Sequence, residues 1–163
     1  MNAQQMINDL ALPVISAPMF LASGPELVIA ACRSGIVGAF PSLNQRTPEG
    51  YEAWLEQVCE GLAQGPLPGV PKVGPFGVNL NVHKSNKRMD ADLPLTVKYK
   101  VPVVITSLGA VKEVVDAIHG YGGIVFHDVV SLRHAEKALT AGVDGVIAVS
   151  AGAGGHGGTL KIG

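Results

Sequence analysis

Short apolar runs rich in Val and Ile recur along the chain, and each is bounded by Gly or Pro. Their residues are apolar almost throughout instead of alternating with polar ones, which is typical of strands buried on both faces. The pattern predicts six strands, at residues 14–19, 36–40, 76–80, 103–107, 124–127 and 146–150.

Segments of helical length separate these strands. Two of them carry one apolar stripe at helical spacing, formed by Tyr51, Trp54, Leu55, Val58 and Leu62 in the first and by Val111, Val114, Val115 and Ile118 in the second. Pro25 and Pro48 are expected in the first turns of two helices. Ser23-Gly24 and Thr47, which precede these prolines, are candidates for the N-caps of the two helices, and Ser131 is expected to cap a later helix. Three glycines should end helices in a left-handed conformation, namely Gly35, Gly120 and Gly142.

The unit of strand, helix and glycine recurs about every 21 residues in the second half, in VPVVITS, GGIVFHD and DGVIAVS. This alternation favours parallel strands joined by crossover helices. Two α/β architectures fit it, an open doubly wound sheet and a (β/α)₈ barrel, and composition favours the barrel only slightly. The irregular segment 81–92 follows a strand, on the side where either fold builds its ligand-binding loops.

Composition supports one globular domain over residues 1–163, because 47% of the residues are hydrophobic and 15% are charged. The net charge of -1 gives no electrostatic reason to expect nucleic acid or an anionic membrane as partner. No run reaches the length of a membrane helix, so we expect a cytoplasmic protein. The basic run 84–88 is expected to be a solvated loop. Cys32 and Cys59 lack CxxC spacing and are expected to be buried, reduced thiols without a metal.

The sequence SAGAGGHGG, at residues 150–158, follows the last predicted strand and places His156 among glycines. Backbone N–H groups in such a loop can approach a flat ligand or a phosphate closely. Gly152, Gly154 and Gly157 match G-x-G-x-x-G, but the helix and the acidic residue of a dinucleotide site do not follow, so we regard the match as accidental. A flexible turn is the alternative. The position of His156 after a parallel strand favours an active-site residue.

A second group of candidates follows the other predicted strands. Strand one ends in Pro18-Met19-Phe20, and strand three carries Asn79 and Asn81. An Asn side chain can donate to and accept from the edge of a flavin ring, and Met suits its face. Taken singly, Met19 is more often core and Asn79 a turn former. His127 and Asp128 are expected to end strand five at one face of the sheet.

Together these segments resemble the nitronate monooxygenase family, also called 2-nitropropane dioxygenases. The resemblance runs from residue 13 to residue 158, through PVISAPMFLASGPELVIAACRSGIVGAF, PFGVNLN, VVITS, GGIVFHDV, LRHAEKALTAGVDGVIA and AGAGGHGG. Its most specific parts are PFGVNL and the Gly-Gly-His-Gly segment.

The resemblance implies an FMN-containing TIM barrel that uses O₂ to oxidise alkyl nitronates or nitroalkanes to a carbonyl compound and nitrite. It places Pro18, Met19 and Phe20 along the flavin, with Asn79 or Asn81 bonded to it. Gly154 and Gly155 would approach the flavin, and His156 would be the catalytic base. The resemblance also implies Asp128 as a further flavin contact, although a Lys common nearby in the family is replaced here by the context of Phe126 and His127.

Two other functions remain open at this point. Related FMN reductases, of the enoyl-acyl carrier protein and NADH:quinone types, share PFGVN and a Gly-Gly-His loop. The family barrel also has two further βα units, which carry glycine loops that hold the FMN phosphate. Their absence here favours a fragment holding about the first six units, which by itself is expected to be inactive, colourless and prone to form homo-oligomers.

Overall fold

The structure is a computed structural model that describes residues 2–109, 111–154 and 157. Its strands are β1 (Ile15–Ser16), β2 (Val37–Pro41), β3 (Phe76–Asn81), β4 (Val103–Ser107), β5 (Ile124–Val129) and β6 (Gly145–Ala148). Its helices are α1 (Ala3–Asn8), α2 (Pro25–Arg33), α3 (Pro48–Leu62), α4 (Met89–Lys98), α5 (Lys112–His119) and α6 (Leu132–Thr140), and a short 3₁₀ turn spans Ser42–Asn44.

All six strands form one parallel sheet, in which each strand pairs with the next one along the chain. A doubly wound sheet reverses its strand order part-way, whereas a βα barrel adds every new strand on the same side. The unbroken order β1 to β6 therefore decides between the two predicted architectures. The chain forms the first six βα units of a TIM barrel, as predicted.

The sheet separates two apolar clusters. The outer cluster lies between the strands and the surrounding helices, and it includes Phe40, Val78, Leu80, Val104 and Val125. The inner cluster lies on the other face and contains Met6, Val37, Ala39, Val103, Ile105 and Ile124. Successive side chains of a strand point to opposite faces, so parity along each strand decides which cluster a residue joins.

Most predicted helix boundaries are confirmed. Thr47 and Ser131 accept hydrogen bonds from the backbone N–H groups of Gly50 and His134, and Pro25 and Pro48 are first helical residues. Two of the predicted left-handed glycines, Gly35 and Gly142, have φ of +83° and +90°.

One glycine prediction is wrong. Gly120 ends α5 with φ -55°, in the right-handed region, and the left-handed turn falls two residues later at Gly122, where φ is +85°. Helix α5 is followed by an extra turn whose N–H groups bond back to the last helical carbonyls, so the reversal of the chain is delayed.

Burial differs from the prediction at two places. Strand β6 is not buried on both faces, because its residues alternate between half-buried and exposed. Cys32 is buried as predicted, and burial raises its pKa to about 11, but Cys59 lies on the exposed side of α3. Within the described residues no group of three or more His, Cys, Asp and Glu side chains is arranged to hold a metal.

The basic run 84–88 is not entirely a solvated loop. Arg88 is 18% exposed and forms an ion pair with the fully buried Asp92 one helical turn further on, with 2.7 Å between Nη2 and Oδ1. Its Nη1 donates to the backbone carbonyl of Gln45 at 2.6 Å. Arg88 therefore ties the start of α4 to the loop after β2. Across the described ranges no helix is both long enough and apolar enough to cross a membrane.

Tyr51 links α3 to α4 through a buried hydrogen bond, 2.8 Å from its hydroxyl to Thr96 Oγ1. We expect Tyr51→Phe to lower the free energy of unfolding by about 1 kcal/mol, because one neutral hydrogen bond is lost while Thr96 still donates to the carbonyl of Asp92. Urea unfolding measures this loss. Tyr99→Phe is the control, since its hydroxyl bonds to Glu56 at the surface, and it should change stability far less. Equal effects of the two variants would contradict the expectation.

Candidate functional site

Three polar side chains form a connected row across the carboxyl ends of β3, β4 and β5. Asn79 donates from Nδ2 to Ser107 Oγ at 2.7 Å, and Ser107 Oγ donates to Asp128 Oδ2 at 2.7 Å. Ser107 and Asp128 lie two residues after Ile105 and Phe126, which belong to the inner cluster, and Asn79 lies between two residues of the outer one. Parity therefore places this polar row on the inner face of the sheet.

The amide orientation of Asn79 is fixed by a second contact. Its Nδ2 also donates to the backbone carbonyl of Ile105 at 3.0 Å. A carbonyl oxygen can only accept, so the nitrogen must face it, and both N–H bonds of the amide are used within the protein. The oxygen of Asn79 accepts no hydrogen bond from any described residue, so it is the atom of this amide that is available to a ligand.

His127 and Asp128 do not share a face of the sheet, contrary to the prediction. His127 is buried on the helix side, where its Nδ1 lies 2.7 Å from Thr106 Oγ1. Burial lowers the pKa of His127, partly offset by the charge of Asp128. Burial also raises the pKa of Asp128, opposed by the Ser107 hydrogen bond and by His127. The sequence shows two adjacent polar residues, but the two-residue period of a strand assigns them to different environments.

The Pro18-Met19-Phe20 segment is a loop and not the end of a strand, because β1 stops at Ser16. Met19 and Phe20 are exposed beyond the carboxyl end of β1, and Phe20 is 68% exposed. The buried Ser23 holds the loop closed, since its hydroxyl donates to the Ala17 carbonyl and accepts from the N–H of Met19, both at 2.9 Å.

Asn44 lies in the turn after β2, and its side chain bonds to the loop that carries Met19 and Phe20. Its Nδ2 donates to the carbonyls of Met19 and Ser23, at 3.1 and 2.8 Å, and its Oδ1 accepts from the N–H of Leu21 at 3.0 Å. The loop therefore has a defined shape even though its side chains are exposed.

Two exposed leucines at this end of the sheet have left-handed backbone conformations. Leu21, in the β1–α2 loop, has φ +61° and is 80% exposed, and Leu108, after β4, has φ +64° and is 66% exposed. A branched residue in this region costs free energy and persists only where its surroundings hold it, which is common at ligand sites. Exposed apolar side chains and strained backbone thus occur at the same end of the sheet as the polar row.

The remaining predicted site residues differ in what the structure shows of them. Asn81 uses its side-chain oxygen to accept from the N–H of His83 at 3.0 Å, so it shapes the loop after β3. A Cβ atom added to Gly154 would meet no atom within 4 Å, so packing among the described residues does not require glycine there. Gly155 and His156 lie outside the described residues.

Two residues of this site were missed by sequence reasoning, Ser107 and Asn44. Ser107 is two residues beyond the inward-facing Ile105, and strand parity was the signal that could have identified it. Asn44 gives no local signal, because its three hydrogen bonds reach residues more than 20 positions away.

Comparison with known proteins gives consistent relatives, although no family model matches the chain. A nitronate monooxygenase of Neurospora crassa is 24% identical over 164 residues, covering 88% of this chain and 43% of that protein. The chain is therefore similar to a member of the nitronate monooxygenase family. This relationship confirms the resemblance read from the sequence, and it concerns the amino-terminal part of the family.

Solved structures that are similar to this chain confirm its fold. FabK from Thermotoga maritima has a TM-score of 0.80 and 24% identity, covering 96% of this chain and 46% of that one. The nitroalkane oxidase from Streptomyces ansochromogenes has a TM-score of 0.78 and 22% identity, covering 97% and 52%. The chain spans about half the length of these proteins.

Proposed function

We propose that the chain is part of an FMN-dependent oxidoreductase that oxidises alkyl nitronates or nitroalkanes to a carbonyl compound and nitrite with O₂. The observation that carries the proposal is the row Asn79–Ser107–Asp128 at the inner carboxyl edge of a barrel sheet, since barrel enzymes bind their substrates at this edge. The related nitronate monooxygenase supports this class of reaction.

The described residues fit a flavin. A flat ring with polar atoms along its edge requires hydrogen-bonding groups on one side and apolar contacts on its faces. The polar row offers the hydrogen-bonding groups, and the exposed side chains of Met19 and Phe20 offer the apolar contacts. Pro18, next to them, completes the predicted contact segment. Gly154 leaves room for close backbone approach, and Gly155 is proposed to do the same.

The remaining roles in the reaction are assigned to individual residues of the protein. His156 is proposed as the general base that takes the proton from the carbon bearing the nitro group, for which the ordinary imidazole pKa of about 6.5 is well suited near neutral pH. Asn79 and Asp128 are proposed to orient the ring edge, and the Asn81 loop to form part of the pocket wall. Bound FMN supplies the electron-accepting group of the reaction.

A second candidate function is an FMN reductase that takes electrons from NADH. The structural similarity to FabK is the observation that keeps it open. A small-molecule substrate and a cytoplasmic location belong to either proposal, and a homo-oligomer is compatible with both.

Anaerobic reduction of the flavin in the full-length protein tests the proposed function. We expect ethyl nitronate alone to bleach the visible absorbance of the bound flavin rapidly, while NADH does so slowly. The reverse order would assign the protein to the reductases. A full-length protein that purifies without flavin and does not bind added FMN would contradict both functions.

A further inference from the structure

We propose that Ser107 is a positioning residue that holds Asn79 as a hydrogen-bond acceptor, so that the ligand atom facing Asn79 is an N–H donor. The inference rests on the proposed flavin site and specifies its chemistry. The oxidised isoalloxazine ring carries a single N–H, at its imide nitrogen, and we assign Asn79 Oδ1 to that group.

Each hydrogen bond in the row has a defined direction. Ser107 has one hydroxyl hydrogen, which it donates to Asp128 Oδ2, so toward Asn79 it can only accept. The carbonyl of Ile105 can likewise only accept. The amide nitrogen of Asn79 therefore faces two acceptors at once, and a flipped amide would place its oxygen against both of them.

Asp128 gives the row its direction. Its carboxyl oxygen takes the Ser107 hydrogen, which turns a lone pair of the hydroxyl toward Asn79. Without this acceptor, Ser107 could instead donate to the Asn79 oxygen, and only the Ile105 carbonyl would oppose the opposite orientation of the amide. The side chains of three neighbouring strands thus define one orientation of a group that is otherwise able both to donate and to accept.

Replacement of Ser107 by Ala removes this constraint but leaves the Ile105 contact. One N–H of Asn79 is then unpaired, and the Ile105 carbonyl alone opposes a flipped amide, so a fraction of the molecules can offer a donor to the ligand in place of the acceptor. Ser107→Thr retains a hydroxyl at the same place, and a β-branched residue is readily accommodated in a strand. The pair of variants separates the hydroxyl from the rest of the side chain.

The test measures the binding of two probes, FMN and 3-methyl-FMN, which lacks the imide hydrogen, to the full-length protein by fluorescence titration. We expect the wild-type protein to prefer FMN by about tenfold, the size of one well-made hydrogen bond. Ser107→Ala should reduce this preference to about threefold or less, and Ser107→Thr should keep it.

Thr106→Val is the matched control. Thr106 lies next to Ser107 on the same strand, but its hydroxyl bonds to His127 on the opposite face. Its loss should lower stability without changing the preference between the two probes. If the role of Ser107 were merely structural, Ser107→Ala would behave like Thr106→Val: it would lower stability and leave the preference for FMN over 3-methyl-FMN unchanged.

Several other results would overturn part or all of the proposal. Equal binding of the two probes by the wild-type protein overturns the assignment of Asn79 and leaves the flavin function intact, and this comparison needs no variant to fold. An unchanged preference in Ser107→Ala, or an equal loss in Thr106→Val, overturns the role of Ser107. Absence of FMN binding in the wild-type protein overturns the proposed function and this inference with it.

Discussion

Arg88→Met is expected to destabilise the protein by about 3–5 kcal/mol, because it leaves the carboxylate of Asp92 buried without its cation. Asp92 is completely buried, and its Oδ2 has no hydrogen-bond partner among the described residues. Arg88 therefore supplies nearly all the charge compensation for this group, and it also donates to the Gln45 carbonyl. Urea unfolding of the full-length protein measures the loss.

Lys112→Met provides a matched control for this variant. Lys112 and Asp116 form an ion pair with the same sequence spacing and the same 2.7 Å distance, but their side chains are 67% and 58% exposed. Breaking this exposed pair should cost at most about 0.5 kcal/mol. The double variant Arg88→Met with Asp92→Leu should recover much of the lost stability, since the unpaired charge is gone. If Arg88→Met costs no more than Lys112→Met, burial does not determine the strength of the pair.

His156→Asn in the full-length protein is expected to slow the oxidation of neutral nitroalkanes by about 10²–10⁴-fold, the usual contribution of a general base. Preformed nitronates have already lost the proton, so their turnover should be nearly unchanged. Steady-state oxygen consumption with nitroethane and with ethyl nitronate measures the two rates.

His134→Asn is the control for this substitution, because His134 lies exposed on α6, away from the inner face of the sheet. Both rates should remain at the wild-type level in this variant. An equal loss on nitroalkane and nitronate in His156→Asn would rule out a base and assign His156 to binding or to the oxidative half of the reaction.

The fold could be predicted from the sequence because its signals are local. Continuous apolar runs predict buried strands, and Thr47, Ser131 and the glycines 35 and 142 mark helix ends through contacts within a few residues. The choice between barrel and doubly wound sheet could not be made from these signals, since both contain the same βα units. Strand order decides it, and strand order depends on contacts between distant residues.

The candidate site was predicted only in part, for a related physical reason. Met19, Phe20, Asn79 and Asp128 could be selected because each lies at or just beyond the carboxyl end of a predicted strand. The hydrogen bonds that fix their geometry come from Asn44 and Ser107, which lie on other elements, so no local pattern identifies them. Side-chain parity was available from the sequence, and it would have separated Asp128 from His127 and placed Ser107 beside Asn79.

Helix α1 has a consequence for the order in which the protein assembles. Each strand pairs only with its neighbours in the sequence, so the sheet can grow strand by strand as the chain emerges from the ribosome. Met6 of α1, however, shares its buried cluster with Val37 of β2, Val103 of β4 and Ile124 of β5. Helix α1 therefore completes its packing only after β5 has joined the sheet. Until then α1 is a six-residue segment held by little more than its own capping box, too short to be a stable helix in isolation.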